Sequence, residues 1–306
     1  MISALSVSDL SLSIGGAKIL DGITLSVNKN ETLGIIGPNG AGKTSLFNLL
    51  SGVRNPTRGE IFIGDLNVTN LKPYERANVG LARTFQTSSV FVNLTCLENV
   101  RIAAQAANGK SMNLTKNAYK FSDVVATAQD CLAKVGLART FQTSSVFANL
   151  TCLENVRIAA QSANGKSMNL TKNAYKFTEV VATAQECLAK VGLAPRALQL
   201  AGSLSHGDKR RLEIAIVLAS KSDIVLLDEP MAGMSVENVP ELVDIIRLLK
   251  VEHKKTVLIV EHHLDVILGL ADRIAVLNYG ELLVCDSPQN VINNPIVQSA
   301  YIGEAL

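Results

Sequence analysis

The sequence predicts an α/β fold built on a parallel sheet, and three observations point to it. Three short apolar runs, TLGIIG at 32–37, DIVLLDEP at 223–230 and TVLIVEHH at 256–263, have the continuous pattern of strands covered on both faces. Stretches of helical periodicity separate them, and strands alternating with helices indicate a parallel core. Ahead of the first run, LSVSDLSLSI and ILDGITLSV alternate polar and apolar residues, as half-buried antiparallel strands do.

In chain order, the two alternating strands are joined at the turn residues Gly15 and Gly16. The run from Thr32 ends in GPNGAGKT, a glycine loop feeding a helix that stops near Gly52. A repeat follows. Val79 to Lys134 recurs as Val135 to Lys190 with 51 of 56 positions identical; the five changes, Val92/Ala148, Ala106/Ser162, Ser122/Thr178, Asp123/Glu179 and Asp130/Glu186, are all mild. Solenoids need at least three units, so this is one segment copied once, and without one copy the chain would have 250 residues. Each copy is helical in pattern: Thr95 with Glu98, and Thr151 with Glu154, fit the capping box. Val124, Ala128, Cys131, Leu132 and Val135 form one apolar helical stripe. After the repeats come the second buried strand, a helix over Val239 to Lys250, the third strand and a short β-rich tail.

The 306 residues carry 29 basic and 27 acidic side chains, a net charge of +2 that is scattered and supplies no field for nucleic acid. Five cysteines, two pairs of them copies and none in a CxxC arrangement, argue against a disulfide framework or a zinc site and for a reducing compartment. The N-terminus lacks the basic and apolar regions of a signal peptide. The apolar runs fall far short of the roughly 20 residues that a membrane span needs.

Three motifs carry chemistry. GPNGAGKT, comprising Gly37, Pro38, Asn39, Gly40, Ala41, Gly42, Lys43 and Thr44 and followed by Ser45, matches GxxxxGK[ST] between a buried strand and a helix. Its glycines let backbone amides close round phosphates, Lys43 offers a point charge to the β and γ phosphates, and the Thr44 hydroxyl suits magnesium. LLDEP ends the second strand with two acids. Strand alternation sends them opposite ways, so that Asp228 suits the magnesium shell and Glu229 suits orienting or deprotonating a water. In LSHGD, comprising Leu204, Ser205, His206, Gly207 and Asp208, Ser205 and Asp208 have N-cap spacing ahead of a helical run.

The order of phosphate loop, TFQ, LSHGD, LLDEP and a strand ending at Glu261-His262 resembles that of the ATP-binding cassette (ABC) ATPases, over the whole chain apart from the extra copy. That resemblance implies a P-loop core with an antiparallel β-subdomain at 1–86 and 204–306, and a helical subdomain at 87–203 enlarged by the duplication at 79–134 and 135–190. It implies ATP and Mg2+ as ligands and a sandwich dimer in which LSHGD of one subunit completes the ATP site of the other, Ser205 and Gly207 addressing the γ-phosphate in trans. His262 would hold the γ-phosphate, the TFQ glutamine would contact magnesium and water, and the loop from Ala232 to Ser235 would cross the dimer interface. Where such proteins carry an aromatic that stacks on adenine, this chain has Ile14, so weakened adenine selectivity is expected.

RTFQ, NLTxLENV, LSHG followed by RRLEIA, AGM after the acids and the tail NPIVQSAYIGE are similar to the ATPases of branched-chain amino-acid importers. By that likeness the chain is a peripheral subunit on the cytoplasmic face of the cell membrane. Its expected partners are membrane permease subunits, a second ATPase subunit and, indirectly, a substrate-binding protein, with no nucleic acid. The alternatives are a soluble cassette acting on nucleic acid or ribosomes, against which stand one phosphate loop, one LSHGD and the lack of heptads or a basic arm, and a cassette made non-productive by the duplication. Gln86, joined to its natural upstream sequence, is the favoured working glutamine, with Gln142 as the other choice. Copy two, joined naturally to the LSHGD segment, is expected to pack its last helix beside the helix after LSHGD. The matching stripe of copy one is expected to pack on copy two or to drive self-association.

Overall fold

A computed structural model of the chain describes residues 3–83, 150–163, 178–220 and 222–301. The chain divides into two compact units, 1–86 with 222–306, and 87–221. The second division lies beyond the boundary at 203/204 that the sequence suggests.

In the first unit, β1 (Ser3–Ile14) and β2 (Ala17–Asn28) pair antiparallel through the Gly15–Gly16 turn, where both glycines have positive φ, 58° and 87°. With β4 (Arg58–Ile63) and β5 (Leu66–Asn67) they form a four-stranded antiparallel sheet in the order β2-β1-β4-β5. The second sheet is mixed and six-stranded. It contains β3 (Thr32–Ile36), β6 (Leu81–Arg83), β7 (Ile224–Asp228), β8 (Thr256–Val260), β9 (Arg273–Asn278) and β10 (Glu281–Asp286), in the order β10-β9-β3-β8-β7-β6. All its neighbours run parallel except β9 and β10. Every residue of β3, β7 and β8 is buried, as their unbroken apolar runs demand.

Helix α1 (Lys43–Leu50) buries Leu46, Phe47, Leu49 and Leu50 in a core shared with Leu5, Leu10, Ile23 and Ile61 of the antiparallel sheet and Leu226 and Leu258 of the parallel one. Helix α2 (Pro73–Asn78) starts with proline at its first position and a capping glutamate, Glu75. Its Arg76 is wholly buried, donating to Thr69 O and Leu71 O and to Leu49 O and Leu50 O at the end of α1.

In the second unit, α3 (Cys152–Ala163) opens with the expected capping box: Thr151 Oγ1 accepts from Glu154 N, and Glu154 Oε2 accepts from Thr151 N. Helix α4 (Thr178–Lys190) buries Ala184, Cys187 and Leu188 and packs on both α3 and α5 (His206–Ala219), so copy two does lie beside the helix after LSHGD. The copy-one stripe and the Thr95 box lie outside the described residues.

Back in the first unit, α6 (Val239–Val251) and α7 (Leu264–Leu270) complete the crossovers. The C-terminal tail differs from expectation. After β9 and β10 it turns helical, as α8 (Pro288–Ile292) and α9 (Pro295–Tyr301), because each segment begins with a proline at a helix start and Ser287 caps the first. Among the described residues no helix is long and apolar enough to cross a membrane.

Candidate active site

Parallel strands deliver their C-terminal ends to one edge of a sheet, and in α/β proteins ligands bind there. The register is nearly level: Ile35 lies beside Val260, Val260 beside Asp228, and Arg83 beside Leu226. The loop after β3, the acids after β7 and the Glu261-His262 pair after β8 therefore start within one or two residues of a common row.

The loop Gly37–Gly42 is tightly gripped. A Cβ on Gly37, whose φ is 154°, would stand 2.2 Å from Leu277 O, and one on Gly42, whose φ is 100°, would stand 2.6 Å from a Leu20 methyl. Gly280 N–H, in the β9–β10 turn, donates to Ala41 O at 3.1 Å. The loop's shape is thus fixed by β2 on one side and the β9–β10 turn on the other. Lys43, at the head of α1, is buried, and its Nζ donates to Gly37 O at 2.5 Å and Pro38 O at 3.0 Å. A compact ammonium held inside a glycine loop at a helix N-terminus is an arrangement suited to phosphate.

Asp228 and Glu229 diverge, as the sequence predicts, although the pleat alone is not the cause. Strand β7 ends at Asp228, and Glu229 has a left-handed backbone, φ 48°, held by its N–H donating to Val260 O at 2.9 Å. Asp228 faces β6, where Arg83 Nη2 donates to its Oδ2 at 2.7 Å; the two side chains are 1% and 4% exposed. Glu229 faces β8, with its Oε1 2.9 Å from His262 Nε2. A left-handed glutamate is strained, and such strain concentrates at working sites.

Two residues without a role predicted from the sequence complete this edge. Arg83 was signalled only by a cation ending the apolar stretch VGLA; burial lowers its pKa while Asp228 opposes the shift. Glu261 Oε1 accepts from Met231 N at 2.7 Å, which braces the loop that follows Glu229. Burial pushes the Glu261 carboxyl up, against the amides of Met231 and His262.

Ile14 ends β1 opposite Ala17 and is 43% exposed, open to a flat ligand but without a π face. In the second unit, Ser205 caps α5: its Oγ accepts from Asp208 N at 3.2 Å and donates to Asp208 Oδ2 at 2.8 Å, and Arg196 also pairs with that carboxylate. Leu204, His206 and Gly207 lie around this cap, at and just before the first turn of α5. Gln86 and Gln142 both lie outside the described residues, so the choice between them stays with the sequence.

A sequence model of the ABC transporter family matches residues 20–139 and 120–232. The chain is 33% identical over 301 residues to the high-affinity branched-chain amino acid transport ATP-binding protein LivG of Escherichia coli K12, covering 98% of each chain. It is 31% identical to BraF of Pseudomonas aeruginosa, described in the same terms, again with 98% of each covered. Among solved structures it is similar to the ADP conformation of MJ1267, an ATP-binding cassette of an ABC transporter, at TM-score 0.68 and 25% identity over 99% of this chain and 100% of that one. A nucleotide-free ATP-binding cassette gives TM-score 0.67 and 26% identity. Nucleotide binding and ATP hydrolysis follow from these matches, whose extent makes the chain a member of the ABC transporter family, in its ATP-binding class.

Proposed function

We propose that the chain is the ATP-hydrolysing subunit of an importer for branched-chain or related amino acids. The observation that carries the chemistry is the Glu229–His262 contact, 2.9 Å between Oε1 and Nε2, at the same sheet edge as the Lys43 loop. The substrate class comes from the names of LivG and BraF, with which the chain shares about a third of its residues.

In this reading the Gly37–Ser45 segment cradles the phosphates and Lys43 faces the β and γ phosphates. Glu229 Oε orients a water and takes its proton as the water oxygen bonds to the γ-phosphorus and the bond to ADP breaks. His262 fixes Glu229 and reaches the γ-phosphate, with Gln86, or Gln142, aligning water and metal. Ser205 and Gly207 of a second ATPase subunit close the site in trans.

The donor set also suits magnesium: one hydroxyl, Thr44, and one buried carboxylate, Asp228, with no cluster of three or more His, Cys, Asp or Glu among the described residues to form an all-protein cage. Such a cation keeps waters and takes phosphate oxygens. When bound, it would neutralise charge developing on the phosphates. Permease subunits, a substrate-binding protein acting through them, a place on the inner face of the membrane, a helical unit enlarged by the duplicated segment and the lack of a nucleic-acid partner belong to the same proposal.

The test is twofold. Lys43→Ala is expected to abolish ATP binding by the purified chain, and co-expression with its cognate permease is expected to give ATP-dependent leucine uptake that Glu229→Gln removes. Full ATP binding by Lys43→Ala, or uptake indifferent to Glu229→Gln, would sink the reading.

A further inference from the structure

We propose that Arg83 is a positioning residue for Asp228, holding its carboxylate in the orientation from which it serves the magnesium of MgATP. The inference rests on the role given to Asp228 above.

Arg83 ends β6, and its guanidinium serves three partners at once. Nη2 donates to Asp228 Oδ2 at 2.7 Å, while Nη1 donates to Asn48 Oδ1 at 2.9 Å and Ser51 Oγ at 2.8 Å. The group also lies over the Phe47 ring, 5.6 Å from its centroid. A carboxylate 1% exposed must be paired, and any cation would supply the charge. Only a planar fork, however, can grip a carboxylate and two further acceptors in fixed directions.

The anchors are where a strut for the metal needs them. Thr44, Asn48 and Ser51 stand at i, i+4 and i+7, on one face of α1 and its capping residue. The hydroxyl assigned to the metal and the two groups that hold Arg83 therefore share a helix face, and Arg83 spans from that face to the metal's carboxylate. One side chain ties Asp228, 145 residues further along the chain, to the helix that carries Thr44. Charge neutralisation alone needs neither Asn48 nor Ser51.

The two roles separate experimentally in the full chain. With protein in excess over ATP, Mn2+ is titrated as a magnesium probe and free Mn2+ is read by EPR; ATP binding is measured separately in EDTA. In Arg83→Lys and Arg83→Met, metal-free ATP binding is expected to stay within about twofold of wild type while the Mn2+ Kd rises about tenfold or more, the range found when a ligand's orienting partner is lost. Asn48→Ala and Ser51→Ala, which keep the ion pair, are expected to raise it about threefold.

A wild-type Mn2+ titration by Arg83→Lys would show that the arginine supplies charge only and would overturn the proposal. If neither Arg83 variant melts cooperatively, Asn48→Ala and Ser51→Ala decide, and an unchanged Mn2+ Kd in both overturns it equally. Lys43→Ala separates this failure from that of the underlying reading. Loss of ATP by Lys43→Ala beside unchanged Mn2+ binding in the Arg83 and anchor variants defeats only the positioning role, whereas ATP binding by Lys43→Ala defeats the assignment of the site.

Discussion

Replacing Arg76 by Met is the sharpest test of how the end of α1 is held. The Arg76 side chain is 0% exposed, makes no ion pair among the described residues, and gives four hydrogen bonds of 2.5 to 3.0 Å to main-chain oxygens. Two of these, Leu49 O and Leu50 O, belong to the last turn of α1, whose carbonyls have no donor within the helix, and the helix dipole there favours a cation. Hydrogen bonds from a charged donor are worth roughly 1.5 to 3 kcal/mol each, they do not add, and desolvating the guanidinium offsets several kcal/mol of their sum. The net loss in Arg76→Met is expected to be about 3 to 5 kcal/mol, read from the urea midpoint with the slope unchanged. Arg76→Lys should recover less than half of it, since one ammonium cannot reach four oxygens on opposite sides. A loss below about 1 kcal/mol for Met, or full rescue by Lys, would refute the reasoning.

Four further outcomes are expected. Burial lowers the Arg76 guanidinium well below the usual arginine range, to about 10, so above that pH the folded chain releases a proton that the unfolded chain retains, and this contribution to stability rises with pH. Wild type should therefore lose stability less steeply than Arg76→Met above pH 10, and parallel curves would contradict this. Glu229→Gln should cut hydrolysis by about 10²- to 10⁴-fold while ATP still binds, as measured by phosphate release and nucleotide retention. Ile14→Tyr adds a stacking face worth roughly 1 to 3 kcal/mol, so ATP affinity should rise about fivefold or more; no gain in affinity or in preference over GTP would count against the base-packing role. Deleting residues 135–190 rejoins Lys134 to Val191 and restores the AKVGLA junction, with Ala128, Cys131 and Leu132 taking the buried places of Ala184, Cys187 and Leu188. The shortened chain should keep cooperative unfolding and ATP hydrolysis, and an aggregated product would show that both copies are needed.

What could be read from sequence was local. Gly37 to Thr44 carries its own geometry, because glycine spacing and a following helix are fixed by neighbouring residues, and the runs at Thr32, Ile224 and Thr256 could only be strands buried on both faces. The cap at Ser205 and the box at Thr151 were legible for the same reason. What escaped was pairing at a distance. Nothing near Arg83 names Asp228, nothing near Glu261 names Met231, and both links arise only when the order β3-β8-β7-β6 sets their strand ends side by side. The left-handed turn at Glu229 escaped too, since a glutamate after an aspartate gives no sign of positive φ. Ile14, by contrast, was visible as a departure, and the structure leaves it open at the end of β1.

The place of β3 in its sheet has a bearing on synthesis at the ribosome. The strand that launches the phosphate loop is flanked by β8 and β9, whose residues are made more than 220 positions later, and the Gly37 and Ala41 backbones lean on Leu277 and Gly280. A nascent chain that has released only its first 200 residues holds a glycine loop walled by β2 alone, lacking Leu277 and Gly280, and an apolar strand without its sheet neighbours. Such unpaired strands are aggregation-prone and slow to find distant partners. ATP can therefore act as a folding ligand only once the β9–β10 turn has left the exit tunnel.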